Sequence, residues 1–399
     1  VGTGRIGKIS LPPLAEGVPY VREKEMQRLT TPILMVGSTD ETPEIRYLTG
    51  FQAGDAVLLL KRRQTMWLVV RELEYGRAKL SISSGINLLT PNMLGVPRAK
   101  WGDTGALAVK LVQKWAGKRV VVDSRFPHSI ARRLKRSGVG VSVARQELCP
   151  ERKEKTPFEI KCIRQCQEAA VKSFRSVQDL LARSRIKANG ELIFRRSLVT
   201  SELLRQHIAT VLLKENCFCR DVIASSGRQT AEPHEKGHGL VLAGEPVILD
   251  IFPQHLETGY WGDFTRTVVR GRAPAELKKM YRAVKASQAA ALAKIRPGVK
   301  CRTVHEAAAR ELEERGFETR LDGDMRVGFI HGTGHGVGLE IHEGPRLGFS
   351  EERLRKNQVV TVEPGLYYPH IGGVRIEDTV VVTARGYRYL APCERRLEV

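Results

Sequence analysis

Four acidic side chains stand where the surrounding sequence favours apolar ones. Asp250 interrupts Val247-Ile248-Leu249-Asp250-Ile251, and Glu363 closes Val359-Val360-Thr361-Val362-Glu363. Glu377 lies inside Val374-Arg375-Ile376-Glu377-Asp378-Thr379-Val380. The fourth, Asp263, sits in Gly262-Asp263-Phe264-Thr265-Arg266-Thr267, a turn leading into a strand. A buried carboxylate costs several kcal/mol unless something positive compensates it. Any one of these acids could belong to an ordinary buried salt bridge. Strand alternation places Arg375 on the face of Glu377, which gives that acid a local cation. Asp250 and Glu363 have no Lys or Arg beside them. Acids gathered in one region without neighbouring cations point towards a metal cluster.

Histidines supply the other half of the pattern. Of ten, three fall in Phe329–Glu343: His331, His335 and His342, spaced by four and seven residues. They are embedded in the alternation Gly332-x-Gly334-x-Gly336-x-Gly338. This is not a phosphate loop: no Gly-Lys-Ser/Thr follows, the spacing is not GxGxxG, and Pro345 interrupts any pyrophosphate-binding helix. Glycine at every second position lets backbone pack closely around its neighbours while the histidines project between. Four carboxylates balance two divalent cations, and a neutral His335 adds a nitrogen ligand. That donor set suits Mn, Co, Fe or Zn. Two adjacent cations can share a water, lower its pKa towards neutrality and polarise a carbonyl. The chemistry is that of a dinuclear hydrolase.

These residues need rigid elements to hold them. From Thr156, the Thr-x-x-Glu159 capping box with Pro157 in the first turn predicts a helix over about 157–185. Ile160, Ile163, Cys166, Ala170, Phe174, Val177 and Leu181 recur at helical spacing along it. Cys162 and Cys166, one turn apart on this helix, read as buried thiols and not as a metal site. Helices follow at about 200–214, 274–295 and 303–315, the last with a capping box at Thr303-x-x-Glu306. Strands fill about 219–251, 261–269 and the remainder to the end. Strands mixed with pairs of helices make an α+β domain over 151–399 with a largely antiparallel sheet. Upstream, Ile33–Val36, Ala56–Leu60, Trp67–Val70 and Val120–Val122 read as strands, and Ala106–Trp115 and Ser129–Lys135 as helices. Residues 1–150 are therefore an α/β domain.

Composition agrees with two globular domains: 399 residues, 42% apolar, 27% charged and 6% aromatic. No apolar run reaches the roughly 20 residues of a membrane helix, and Val1–Tyr20 lacks a signal peptide's apolar core. Seven cysteines without paired CxxC spacing suit reduced thiols and a cytoplasmic location. The formal charge is +21, with 24 basic against 12 acidic residues in 1–150 and 41 against 32 in 151–399. Nucleic acid is the first partner such a charge suggests. No zinc-finger spacing or aromatic-interleaved RNA-binding signature accompanies it, so clusters such as Lys61-Arg62-Arg63 read as solvated faces.

At Asp250, Asp263, His335, Glu363 and Glu377 the chain resembles the pita-bread metallopeptidases: methionine aminopeptidase, aminopeptidase P and Xaa-Pro dipeptidase. Ile45–Phe51 and Arg152–Ile160 resemble the creatinase-type N-terminal domain and its connecting helix, which favours the proline-specific branch. The resemblance implies a creatinase-like α/β domain and a pita-bread domain whose antiparallel sheet is curved. It also implies two divalent ions, manganese first with cobalt, zinc or iron as alternatives. Asp263 and Glu377 would bridge the ions, Asp250 would hold one, and His335 with Glu363 the other. Glu363 would act as general base on a bridging hydroxide. His331 and His342 would stabilise the tetrahedral intermediate, His234 would contact the scissile nitrogen, and Arg375 would orient Glu377. The implied protein is a homodimeric exopeptidase acting on Xaa-Pro peptides. A general aminopeptidase, another small-amide hydrolase, and a non-catalytic nucleic-acid- or ribosome-binding member of the fold are the alternatives. Creatinase and the binding members lose metal ligands, whereas all five positions are kept here. Two local features depart from the family. Asp250 and Asp263 are 13 residues apart, slightly longer than usual, which predicts a longer loop at the pocket rim. His238 also follows His234 by four residues and competes for its role.

Overall fold

A computed structural model of the chain describes residues 31–399, so the reading of Val1–Tyr20 lies outside the described residues. The chain divides into two compact units, with the boundary between Arg152 and Lys153. In the first, β1 (Ile33–Gly37), β2 (Val57–Arg62), β3 (Thr65–Val69), β4 (Ile86–Leu89), β5 (Arg119–Val122) and β6 (Gly140–Val143) form one sheet of order β4-β3-β2-β1-β5-β6. β1 to β3 are antiparallel, while β4, β5 and β6 join in parallel. Helices α1 (Pro43–Thr49), α2 (Tyr75–Ser81), α3 (Thr104–Trp115) and α4 (His128–Arg136) complete the expected α/β domain. The elements that sequence periodicity did not mark are β4, β6, α1 and α2. β4 and β6 are the edge strands and are partly exposed along their length, so they do not read as apolar runs. The two helices are seven residues long and have no side-chain cap.

In the second unit α5 runs from Pro157 to Arg183. The Thr156 hydroxyl accepts from Glu159 N at 3.3 Å, while Glu159 Oε2 accepts from Thr156 N at 2.8 Å. Its apolar stripe from Ile160 to Leu181 is buried as the spacing requires. α6 (Ser201–Lys214), capped by Thr200, packs beside α5. Both cover an antiparallel sheet of β7 (Ile223–Ser226), β8 (Val247–Ile251) and β9 (Phe264–Val268). α7 (Ala275–Lys294) and α8 (Cys301–Glu314) cover a second sheet. Its strands are β10 (Gly334–Gly336), β11 (Glu343–Leu347), β12 (Val359–Val362), β15 (Asp378–Val382) and β16 (Tyr387–Tyr389), in the order β11-β10-β12-β15-β16. β13 (Gly365–Tyr368) and β14 (Gly372–Arg375) form a separate hairpin. Every one of these ladders is antiparallel.

One capping expectation fails. α8 begins at Cys301, not at Thr303, and no side chain caps it. Cys301 N and Arg302 N donate to the carbonyls of Glu352 and Ser350, and Thr303 N already donates to Lys300 O. Tertiary carbonyls thus satisfy the first amides, and a Thr-x-x-Glu box is not needed.

Alternation within the strands separates the core from the acids. Val247, Leu249 and Ile251 join Phe174, Val177 and Leu204 under the first helix pair. Val360 and Val362 join Met280, Val284 and Val304 under the second. Asp250, Thr265, Thr361 and Glu363 are left on the faces turned away from the helices. Among the described residues, no helix is long and apolar enough to cross a membrane.

The Thr156 cap predicts a measurable cost on its removal. Thr156→Ala should lower stability by about 1 kcal/mol, read as a reduced urea midpoint of the unit carrying α5. An unchanged midpoint would mean that the box does not hold the helix start.

Candidate metal centre

The β8 acid meets a cation from far along the chain. Arg375 Nη2 lies 2.7 Å from Asp250 Oδ2, with the two side chains 4% and 13% exposed. Arg375 was expected to pair with Glu377, two residues on. β14 ends at Arg375, however, and the chain then crosses from the β13 hairpin to β12, so strand alternation does not extend to Glu377. Glu377 instead accepts from the Thr265 hydroxyl at 2.7 Å. Arg375 reaches that hydroxyl through Nε at 3.4 Å, so its link to Glu377 is indirect.

Asp263 lies immediately before β9 and is almost fully buried. The His335 imidazole stands between acids, its Nε2 3.4 Å from Asp263 Oδ2 and 3.2 Å from Glu363 Oε1. Its Nδ1 faces Gly336 O at 3.1 Å, which places the proton on Nδ1 in the neutral ring and directs the Nε2 lone pair at the carboxylates. Thr361 Oγ1 donates to Glu363 Oε1 at 3.1 Å and accepts from His335 N at 3.0 Å. Glycine allows this approach. A Cβ on Gly334 or Gly336 would strike the carbonyl of Thr361 or Gly344, and one on Gly338 would meet the Glu343 carboxylate. That carboxylate forms a buried ion pair with Lys155 at 2.6 Å, which steadies the loop carrying His342.

Ligand atoms of Asp263, His335 and Glu377 lie within 4.8 Å of one another, a group able to hold a metal ion. Glu363 joins it through His335, and Asp250 through its charge: both Asp263 and Glu377 feel the field of Asp250 and Glu363. Burial first, then repulsion among these carboxylates, raises Asp263 and Glu377 well above the usual carboxylate range. Burial alone would lower the pKa of His335, but the Glu363 hydrogen bond and charge raise it, and His335 in turn lowers Glu363. Asp250 Oδ1 and Glu377 Oε1 are buried without a hydrogen-bond partner. Crowded acids, two orphaned oxygens and one aimed imidazole fit a cationic centre with mostly oxygen ligands.

His342 and His331 lie beside this group. The His342 ring packs edge-on against His335, 4.4 Å between centroids, and burial with nearby His335 and Arg346 pushes it down to about 4. His331 places Nδ1 2.7 Å from Gly332 O and Nε2 3.0 Å from the Tyr367 hydroxyl, so both ring nitrogens are engaged. His234 follows Pro233, whose carbonyl accepts from Arg375 at 3.3 Å, and it lies near enough to influence both His331 and His342. His238 is turned outwards, 74% exposed and 3.7 Å from Glu235. The extra residues between Asp250 and Asp263 are folded and not left as a free loop: Gln254–His255 pairs with Cys217–Phe218.

Tyr367 escaped the sequence reading. Its hydroxyl joins His331 to Arg375, 2.8 Å away, in a chain that ends at Asp250. The available signal was a tyrosine four residues after Glu363 in a buried strand, because a buried phenol needs a hydrogen-bond partner.

The chain belongs to metallopeptidase family M24, whose sequence profile matches residues 161–384; the creatinase/prolidase N-terminal domain matches residues 23–148. Among its relatives, the Xaa-Pro dipeptidase of Pyrococcus furiosus is 38% identical over 179 residues, covering 44% of this chain and 49% of that protein. The Xaa-Pro dipeptidase of Lactobacillus delbrueckii is 30% identical over 181 residues, covering 45% and 46%. These alignments span about half the length of the relatives they match. The crystal structure of the prolidase from Pyrococcus horikoshii is similar with a TM-score of 0.76 at 25% identity, over 92% of this chain and 95% of that one. The X-Pro aminopeptidase of Thermotoga maritima is similar with a TM-score of 0.76 at 25% identity, over 94% and 99%.

Close packing at Gly334 yields a stability prediction. Gly334→Ala drives a methyl group into backbone at Thr361, and should cost about 1–3 kcal/mol. Thermal unfolding checks this, and an unchanged midpoint would show that β10 and β12 can separate freely.

Proposed function

We propose that the chain is a metal-dependent exopeptidase that hydrolyses Xaa-Pro bonds in dipeptides or at peptide N-termini. The observation that carries this reading is the convergence of Asp263, His335, Glu363 and Glu377, with Asp250 beside them, on one face where, among the described residues, only Asp250 is paired with an arginine and two carboxylate oxygens are orphaned. The names of the relatives supply the substrate class. Asp263 and Glu377 would bridge two divalent ions, Asp250 would complete one site, and His335 with Glu363 the other. Manganese is the first candidate, with cobalt, zinc or iron as alternatives. Such a pair of ions acidifies water and polarises a carbonyl.

The chain's own groups supply the rest. Glu363 is positioned to take a proton from water and pass it towards the leaving nitrogen, with Thr361 fixing its carboxylate. An Xaa-Pro bond releases a secondary amine, and His234 is the group proposed to meet that nitrogen. His342 is neutral at pH 7 and offers a ring N–H to the scissile carbonyl oxygen as charge develops. His331 was expected to share that task. With both nitrogens engaged, it is better suited to holding the Tyr367–Arg375–Asp250 chain in place. A homodimer and a cytoplasmic location go with this reading, and sedimentation of the purified chain tests the first.

Xaa-Pro dipeptides and longer peptides beginning Xaa-Pro, assayed with Mn or Co added, should be cleaved, and chelation should abolish the activity until metal is restored. No cleavage of any of them would end the proposal. Glu363→Gln should lower kcat by roughly 10²–10⁴-fold with an unchanged circular dichroism spectrum. Retained turnover would remove Glu363 as the base.

A further inference from the structure

The backbones that carry the ligands are held by two buried glutamines. Gln167 on α5 and Gln288 on α7 are each 1% exposed. A primary amide in an apolar core costs several kcal/mol unless its donors and acceptor are paired, so packing alone favours Leu or Met at both positions. Gln167 pairs with Asp263 at two points. Its Oε1 accepts from Asp263 N at 2.8 Å, and its Nε2 donates to Asp263 O at 2.7 Å. The amide thus replaces a neighbouring strand at the residue that precedes β9. The approach depends on Gly262, where a Cβ would lie 2.8 Å from the backbone of Cys166 and Gln167.

Gln288 performs the matching task under the other sheet. Its Nε2 donates to Val362 O at 2.9 Å, Ile376 O at 3.2 Å and Asp378 Oδ2 at 3.0 Å. Those two carbonyls belong to the peptide groups that precede Glu363 and Glu377. One amide therefore ties together the main chain of two proposed ligands that are 14 residues apart. Fixing a peptide fixes the Cα–Cβ direction of the next residue, and with it the position from which the carboxylate projects.

We infer that Gln167 and Gln288 are positioning residues: they hold the Cα atoms of Asp263, Glu363 and Glu377 at the spacing that metal binding requires. This rests on the metal reading of the site. Groups that orient metal ligands commonly alter affinity by 10–100-fold when removed. A glutamine with only a structural role would leave affinity in the folded protein untouched.

The test is titration of the metal-free full chain with Co(II), followed by its visible absorption and by calorimetry well below the unfolding temperature. Gln288→Met keeps the length and removes the donor, and Gln167→Met does the same at Asp263, so either variant suffices should the other misfold. The expected result is Co(II) binding weakened by about 10–100-fold, with ligand-field bands shifted from those of the unsubstituted chain. Unchanged affinity and spectrum in a folded variant would overturn the inference, even if that variant unfolded at a lower temperature. An unsubstituted chain that takes up no Co(II) would instead overturn the metal reading, and the positioning role with it.

Discussion

Four carboxylates, two of them buried and two partly buried, gather beside one imidazole, and the second unit is organised around that repulsion. Among the described residues, the only Lys or Arg paired with one of these acids is Arg375, 2.7 Å from Asp250. Glu363 has His335 and Thr361, Glu377 has one hydroxyl, and Asp263 is set against His335. Desolvation and like charge destabilise this set when all are ionised and no cation is bound. Two bound dications would reverse the sign of the dominant interaction. The same crowding that penalises the bare chain is what would give it selectivity for metal.

The fold meets this constraint by dividing its work between two halves. Each helix pair seals one face of a small antiparallel sheet with aliphatic side chains, and the opposite faces are left for polar groups. Threonines join the sheets: Thr265 binds Glu377, and the Thr267 hydroxyl both donates to Arg375 O and accepts from Arg375 N. Glycine in β10 lets His335 approach β12 at backbone distance. The centre therefore lies on the seam between two separately stabilised layers. The proposed ligands come from strands and strand ends, with little freedom to move apart.

Much of this was legible in the sequence because misplaced polarity is a local signal. Asp250 in a run of aliphatics, or three histidines among alternating glycines, announces a site without any knowledge of the fold. The Thr156 box was legible for the same reason, since donor and acceptor are three residues apart. Where the partner is distant, the signal disappears. Arg375 looked like the partner of Glu377 because they are near in sequence, yet it serves Asp250, 125 residues away. Thr303 looked like a cap, but carbonyls of the Ser350–Glu352 segment satisfy the first amides of α8. Tyr367, Gln167 and Gln288 follow the apolar periodicity of their elements, and their polar function appears only once the other strands are in place.

Glu377 and Asp378 show how a single backbone step decides between structure and chemistry. The two acids are adjacent and both buried. Asp378 points towards the helices, where Arg266 and Arg395 each reach it at 2.7 Å and Gln288 adds a hydrogen bond. Two guanidiniums, one of them fully buried, make a strong and complete compensation for that acid. Glu377 points the other way and receives one hydroxyl, with its second oxygen left bare. A chain with 65 basic residues has no shortage of cations to place beside it. The local architecture directs Arg266 and Arg395 to Asp378 and Arg375 to Asp250, and among the described residues no Lys or Arg pairs with Glu377. An acid left uncompensated beside a neighbour compensated twice is best explained by a positive partner from outside the chain.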